Sequence, residues 1–293
     1  MQTARMNNQI TLKKIIHFPL TKIIIGILVV GGSVAVFGEW TSRALLDKTQ
    51  LTNELKNVIV GIIGVSVALL SYILLFRFYE KRQIRELSLA AFGKNALTGF
   101  LAGLILQSLV ILVIYLAHGY SIIRVNPVLF LVPAFTSALT AGFVAEILIR
   151  GIIFRLMEEK LGTVIALIIS ALLFGLLHAG NKEATFLSVL STTIQAGILL
   201  SAVYVFSRSL WLPIFLHFAW DFAEPGIYGG VNPGITIEKS LFTSKITGSE
   251  LLTGGQFGPG NSVQAAIFCL ITGLLFLWSA KRKNNFIKPY WKK

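Results

Sequence analysis

The stretch "FVAEILIRGIIF", residues 143–154, decides how the chain is read. A carboxylate, Glu146, and a guanidinium, Arg150, stand in a segment where every neighbour is apolar or glycine. Either charge at the centre of a membrane helix costs roughly 2.5–3.5 kcal/mol on insertion scales. Four residues apart on a helix, the two share a face and can pair. Pairing makes them tolerable, but by itself it makes them only structural.

The rest of the chain explains why such a helix lies in a membrane. The chain has 293 residues, of which 55% are hydrophobic and only 13% charged, with a mean hydropathy of +0.76. Soluble domains carry about 25% charged residues. Runs near 20–38, 58–76, 97–117, 128–157, 163–179, 186–206, 210–223 and 263–280 are apolar enough to cross a bilayer, a crossing needing roughly 20 residues. The expected fold is all-α, a polytopic membrane helix bundle of about eight transmembrane helices. The segments are 1–127, with the first helices and a basic loop, a polar-bearing core over 128–280, and a basic tail over 281–293.

The net charge of +13 does not point to nucleic acid, because the lysines and arginines flank apolar runs instead of forming one patch. Arg5, Lys13, Lys14 and Lys22, the loop holding Arg77, Lys81, Arg82, Arg85 and Lys94, and the tail "KRKNNFIKPYWKK" alternate with less basic loops. That positive-inside pattern predicts an integral, multi-pass membrane protein with both termini cytoplasmic. The 77–96 loop is expected at anionic lipid, and Trp211, Tyr290 and Trp291 are expected as interfacial anchors. Gln107 and Ser108 read as helix–helix hydrogen bonders. The lone cysteine, Cys269, forms no intrachain disulfide and reads as a small buried group. His17, His118, Glu158 and Glu159 read as solvated. The segment 224–262, with "EPGIYGGVNPG" and "LLTGGQFGPGN", is a turn-rich loop, either a cover over a site or a plain connector.

Glu146 and Arg150 have company. "LLFGLLHAGN" sets Phe174 and His178 four apart, and "LPIFLHFAWDF" sets His217 and Asp221 four apart, each pair on one helical face. Glu146 and His178 flank the turn near Lys160 at similar separations, roughly 20–27 Å along their helices at 1.5 Å per residue. One polar site shared by three helices is the economical reading. Glutamate with histidine activates water for attack on a carbonyl, and a second histidine with a neutral carboxyl stabilises the oxyanion. The same residues would also supply nitrogen and oxygen ligands for a divalent metal such as zinc, although the H-E-x-x-H signature is absent. Metal-free and metal-assisted chemistry stay open.

Three motifs, "AEILIR", "FGLLH" and "HFAWD", occur in that order. They resemble the CAAX prenyl protease type II and bacteriocin-processing (CPBP, Abi) family of intramembrane proteases, over about residues 128–280. The resemblance implies an endopeptidase that hydrolyses a peptide bond of a membrane-associated peptide or protein by activated water. His178 would position the water, His217 and Asp221 would face the substrate carbonyl, and Glu146 would pair with Arg150. The family's first, water-activating glutamate is replaced here by Ala145. The alternative is therefore a non-catalytic peptide-binding or self-immunity protein of the same fold. Ala134, Ala138, Ala141 and Ala145 recur at helical spacing, which also fits a face for close helix packing.

Overall fold

A computed structural model describes residues 17–231 and 239–292; the expected cytoplasmic residues Arg5, Lys13 and Lys14 lie outside them. The chain is a bundle of α-helices. α1 spans Pro19–Trp40, α2 Asn53–Tyr79 and α3 Phe92–Leu116. A short strand, β1 (Tyr120–Val125), precedes α4 (Val132–Glu146). The helical path continues through a π-helical stretch, Ile147–Phe154, into α5, Arg155–His178. α6 (Phe186–Thr192) runs through a second π stretch, Thr193–Leu199, into α7 (Leu200–Ser207). α8 covers Trp211–Phe222, β2 Phe242–Ile246, α9 Glu250–Thr253 and α10 Val263–Arg282. β1 and β2 pair antiparallel, a small addition to an all-α bundle.

Six helical segments among the described residues are long and apolar enough to cross a membrane. One of them, Val128–His178, has 51 residues. It holds the expected fourth and fifth spans, broken at Gly162, where φ is 79°. That left-handed value suits glycine, and a Cβ there would lie 2.8 Å from the carbonyl of Ile287. The expected seventh span is the 12-residue α8. It is too short to meet the length criterion alone, and a π turn, Ala223–Ile227, extends it.

α8 is buried because α3 and α4 meet it through glycines. A Cβ at Gly103 of α3 would stand 2.4 Å from the carbonyl of Leu216, and one at Gly142 of α4 would stand 3.0 Å from the backbone nitrogen of Phe218. Small residues let backbones approach where lipid supplies no hydrophobic drive. Two members of the alanine series, Ala134 and Ala138, are fully buried as packing predicts.

One end of the bundle is held by ion pairs. Glu80 accepts from Lys22 at 2.8 Å and Arg82 at 3.0 Å, and forms an ion pair with Arg155 at 2.9 Å. Arg82 also bonds Glu86, which in turn accepts the Tyr72 hydroxyl. The 77–96 loop is thus partly folded into the protein through Arg82 and Glu86, while Arg77, Lys81, Arg85 and Lys94 are exposed. Glu158, expected in solvent, is buried and accepts from Arg208 at 2.6 Å and Thr163 at 2.5 Å. Arg208 bonds the carbonyl of Asn285 as well, so the same guanidinium ties the segment after the last long helix to the core. Glu159 stays half exposed beside Arg155. Trp211 is no interfacial anchor: it is buried, donating to the carbonyl of Ser88. Tyr290 and Trp291 are exposed. Ser108 meets the Tyr228 hydroxyl at 2.7 Å, whereas Gln107 is buried with neither amide atom bonded among the described residues. Cys269 is buried and free, and His17 and His118 are exposed.

Candidate active site

Between the helices lies a cavity of about 560 Å³, and most of its wall is apolar. α4 contributes Ala141 and Ala145, α5 contributes Phe174 and His178, and α8 contributes His217 and Asp221. The two later alanines of the series therefore border open space, unlike Ala134 and Ala138. Glu146, one residue on, points about 100° away around the helix. It is fully buried with Arg150, and the pair stands behind the cavity wall instead of lining it.

Arg150 ties three elements together. Its Nη1 donates to Glu146 Oε1 at 2.8 Å. Its Nη2 donates to the carbonyls of Ala196 and Gly197 in the second π stretch. The guanidinium lies 5.1 Å from the Phe174 ring centroid, a cation–π contact. Glu146 reaches a third helix, because Oε1 also lies 2.9 Å from His217 Nδ1. The other nitrogen of that ring, Nε2, lies 3.3 Å from Asp221 Oδ2. One imidazole is thus held between two carboxylates. Both acceptors are satisfied if one proton beyond the neutral ring's own is shared among Glu146, His217 and Asp221, which with Arg150 makes the set electrically neutral.

His178 is partly exposed. Its Nδ1 lies 3.0 Å from the carbonyl of Phe174. A carbonyl only accepts, so Nδ1 carries the proton and Nε2 keeps its lone pair. Nε2 has no protein partner among the described residues. The Phe174 ring stacks on His178 at 4.9 Å and meets His217 edge-on at 6.3 Å, so one aromatic side chain spaces the two histidines. As arranged, His217 uses both nitrogens on carboxylates, and no three His, Cys, Asp or Glu side chains among the described residues converge as a metal ion requires. The donor set does not fit zinc in this geometry.

Other lining groups escape motif reading. Thr192 and Gln195 come from α6 and the second π stretch, Asn261 from the glycine-rich segment, and Glu224 from the π turn that follows α8. The segment 254–261 is bonded to the cavity wall: Gly260 donates to Glu224 Oε1 at 2.8 Å, and Gln195 donates to the Gly260 carbonyl. A spacing signal for Glu224 did exist, since it falls one turn beyond Asp221 on the same helical face. Three π-helical stretches border the cavity. Such stretches are rare and frequent at functional sites.

The fold and site define a bundle of membrane-length helices around a mostly apolar cavity that carries a few ionisable groups on its wall, and comparison with known proteins points to a family of membrane peptidases. Residues 127–223 match the family model "Type II CAAX prenyl endopeptidase Rce1-like", which bears out the resemblance read from the three motifs. "Putative membrane peptidase YdiL" of Bacillus subtilis (strain 168) is 24% identical over 171 residues, which make up 54% of this chain and 66% of that protein. No solved structure matches the chain significantly.

Proposed function

We propose that the chain is an intramembrane endopeptidase of the CAAX-protease type, acting on a membrane-associated peptide or protein. The observation that carries this reading is the meeting of His178, His217 and Asp221, from two separate helices, on one cavity inside the bundle. Water donates a proton to the free Nε2 of His178 as its oxygen attacks the scissile carbonyl. His217 keeps Nδ1 on Glu146 and offers its Nε2–H, shared with Asp221, to the oxyanion that forms. The C–N bond then breaks, and the proton held by His178 passes to the leaving amine. Glu146 and Arg150 hold the His217 ring in place. The substrate reaches the cavity from the bilayer, and both termini face the cytoplasm.

Ala145 makes this a slow enzyme, because the position that would hold a carboxylate against the water holds only a methyl group. It also favours a second reading, a peptide-binding protein of the same fold that does not cut. Single-turnover incubation of the protein and of His178→Ala with a pool of membrane-embedded peptides separates the two. New termini from the parent protein and none from the variant support the peptidase. Bound but intact peptides support the binder.

A further inference from the structure

We infer that Glu224 forms a subsite for a positively charged group of the ligand, a lysine or arginine side chain or a free peptide amine. The inference rests on the peptide-binding cavity proposed above but not on cleavage.

Among the described residues four glutamates are buried, namely Glu86, Glu146, Glu158 and Glu224. The first three each face an arginine: Arg82, Arg150 and Arg208 respectively. Glu224 faces none. Its carboxylate receives one backbone N–H, from Gly260. Burying an ionised carboxylate without a partner is strongly unfavourable, and such a group stays neutral instead; a cationic group of the ligand would supply the missing partner and let Glu224 ionise.

The surroundings are shaped for that carboxylate and offer it no compensating charge. A Cβ at Gly258 would lie 2.6 Å from Glu224 Oε1, and one at Gly260 would lie 2.4 Å from Oε2. Glycine at both positions is what lets the segment close over the group. The neighbouring polar side chains are neutral, and the hydrogen bonds they donate go elsewhere. Gln195 donates to the Gly260 carbonyl, Thr192 to Asn261, and Asn261 to the Phe257 carbonyl. The Trp220 indole N–H, a neutral donor, is unbonded among the described residues and adds no charge. Asp221, one turn back, adds another carboxylate that lines the same space. Among the described residues Glu224 therefore meets no cation at this end of the cavity, and ammonium and guanidinium groups carry charge and donors alone.

The test is equilibrium binding of fluorescent peptides to the full chain in detergent, read by anisotropy. The probes are leucine-rich peptides, acetylated and amidated, with lysine, norleucine or glutamate at the centre. A fourth carries norleucine and a free N-terminus. Lysine should bind at least about tenfold more tightly than norleucine, the range expected of a charge-assisted hydrogen bond, and glutamate more weakly than either. Glu224→Gln, which still accepts from Gly260, should reduce the lysine preference to about twofold or less. Glu224→Asp should retain part of it. Preference for the free amine over its acetylated counterpart would assign the subsite to the peptide N-terminus. Equal binding of lysine and norleucine by the parent protein, or a preference unchanged in Glu224→Gln, would overturn the inference. If Glu224→Gln does not fold, the parent's ranking of the probes decides alone. Cleavage without charge preference would remove this subsite and leave the peptidase reading intact, and preference without cleavage would do the reverse.

Discussion

Glu146 Oε1 lies 2.9 Å from His217 Nδ1, joining α4 to α8 through a fully buried carboxylate. The same oxygen accepts from Arg150, while Oε2 is buried without a partner among the described residues. Glu146 is thus a joint between elements, turned away from the cavity that its neighbour Ala145 lines.

Glu146→Gln should accordingly harm stability before chemistry. The variant leaves Arg150 buried with no opposing charge, and breaking a buried pair costs roughly 3–5 kcal/mol. Thermal unfolding in detergent should show a large drop, with any residual cleavage reduced only in proportion to the folded fraction. A variant as stable as its parent that had lost all turnover would make Glu146 the base instead.

The network around Glu86 makes a pH prediction. Burial pushes the Glu86 carboxyl up, but the hydrogen bonds and charge of Arg82 more than offset this and hold it below the ordinary carboxylate range. A depressed folded value means stability that is fully present above the unfolded pKa, about 4.3 for glutamate, and lost as pH falls through the folded value. Melting temperature in detergent should therefore decline in acid below about pH 4.3. Glu86→Gln should lose about 1.5–3 kcal/mol at neutral pH and show a shallower acid decline. An identical acid profile in the variant would remove Glu86 from the account.

Topology is open to direct measurement. His17 stacks on Tyr79, Lys22 pairs with Glu80, Glu80 pairs with Arg155, and Thr163 bonds the carbonyl of Ile287. These contacts bring residues near both ends of the chain to one end of the bundle. Reporter fusions after Lys94 and after Lys288 should both read cytoplasmic, and a signal from the opposite compartment at either point contradicts the proposed orientation.

Much of the fold was legible because apolar length is a one-dimensional signal. The runs at 20–38, 58–76, 97–117 and 263–280 each fall within a single helix to within one residue. The three motifs were legible for a related reason, since charge inside an apolar run stands out and a spacing of four fixes a shared face. What escaped depends on contacts distant in sequence. Glu158 looks solvated until Arg208, fifty residues later, closes on it. Trp211 looks interfacial until Ser88 takes its N–H. The π stretches leave no clear sequence mark, and Glu224 looked like the start of a loop because Pro225 and Gly226 follow it. That Ala145 lines the cavity while Glu146 does not follows from rotation about the helix, which the π stretch beginning at Ile147 leaves undisturbed.

The most direct test of the central claim is Ala145→Glu. The cavity, about 560 Å³, has room for the added carboxyl, which would stand on the wall that His178 and His217 share. A positioned general base contributes typically 10²–10⁴-fold in rate. Single-turnover cleavage of one membrane-embedded peptide, by parent and variant at equal detergent concentration, should rise by about that factor in the variant. Equal and substantial rates from the two proteins would contradict the account, because the site would then need no carboxylate at position 145.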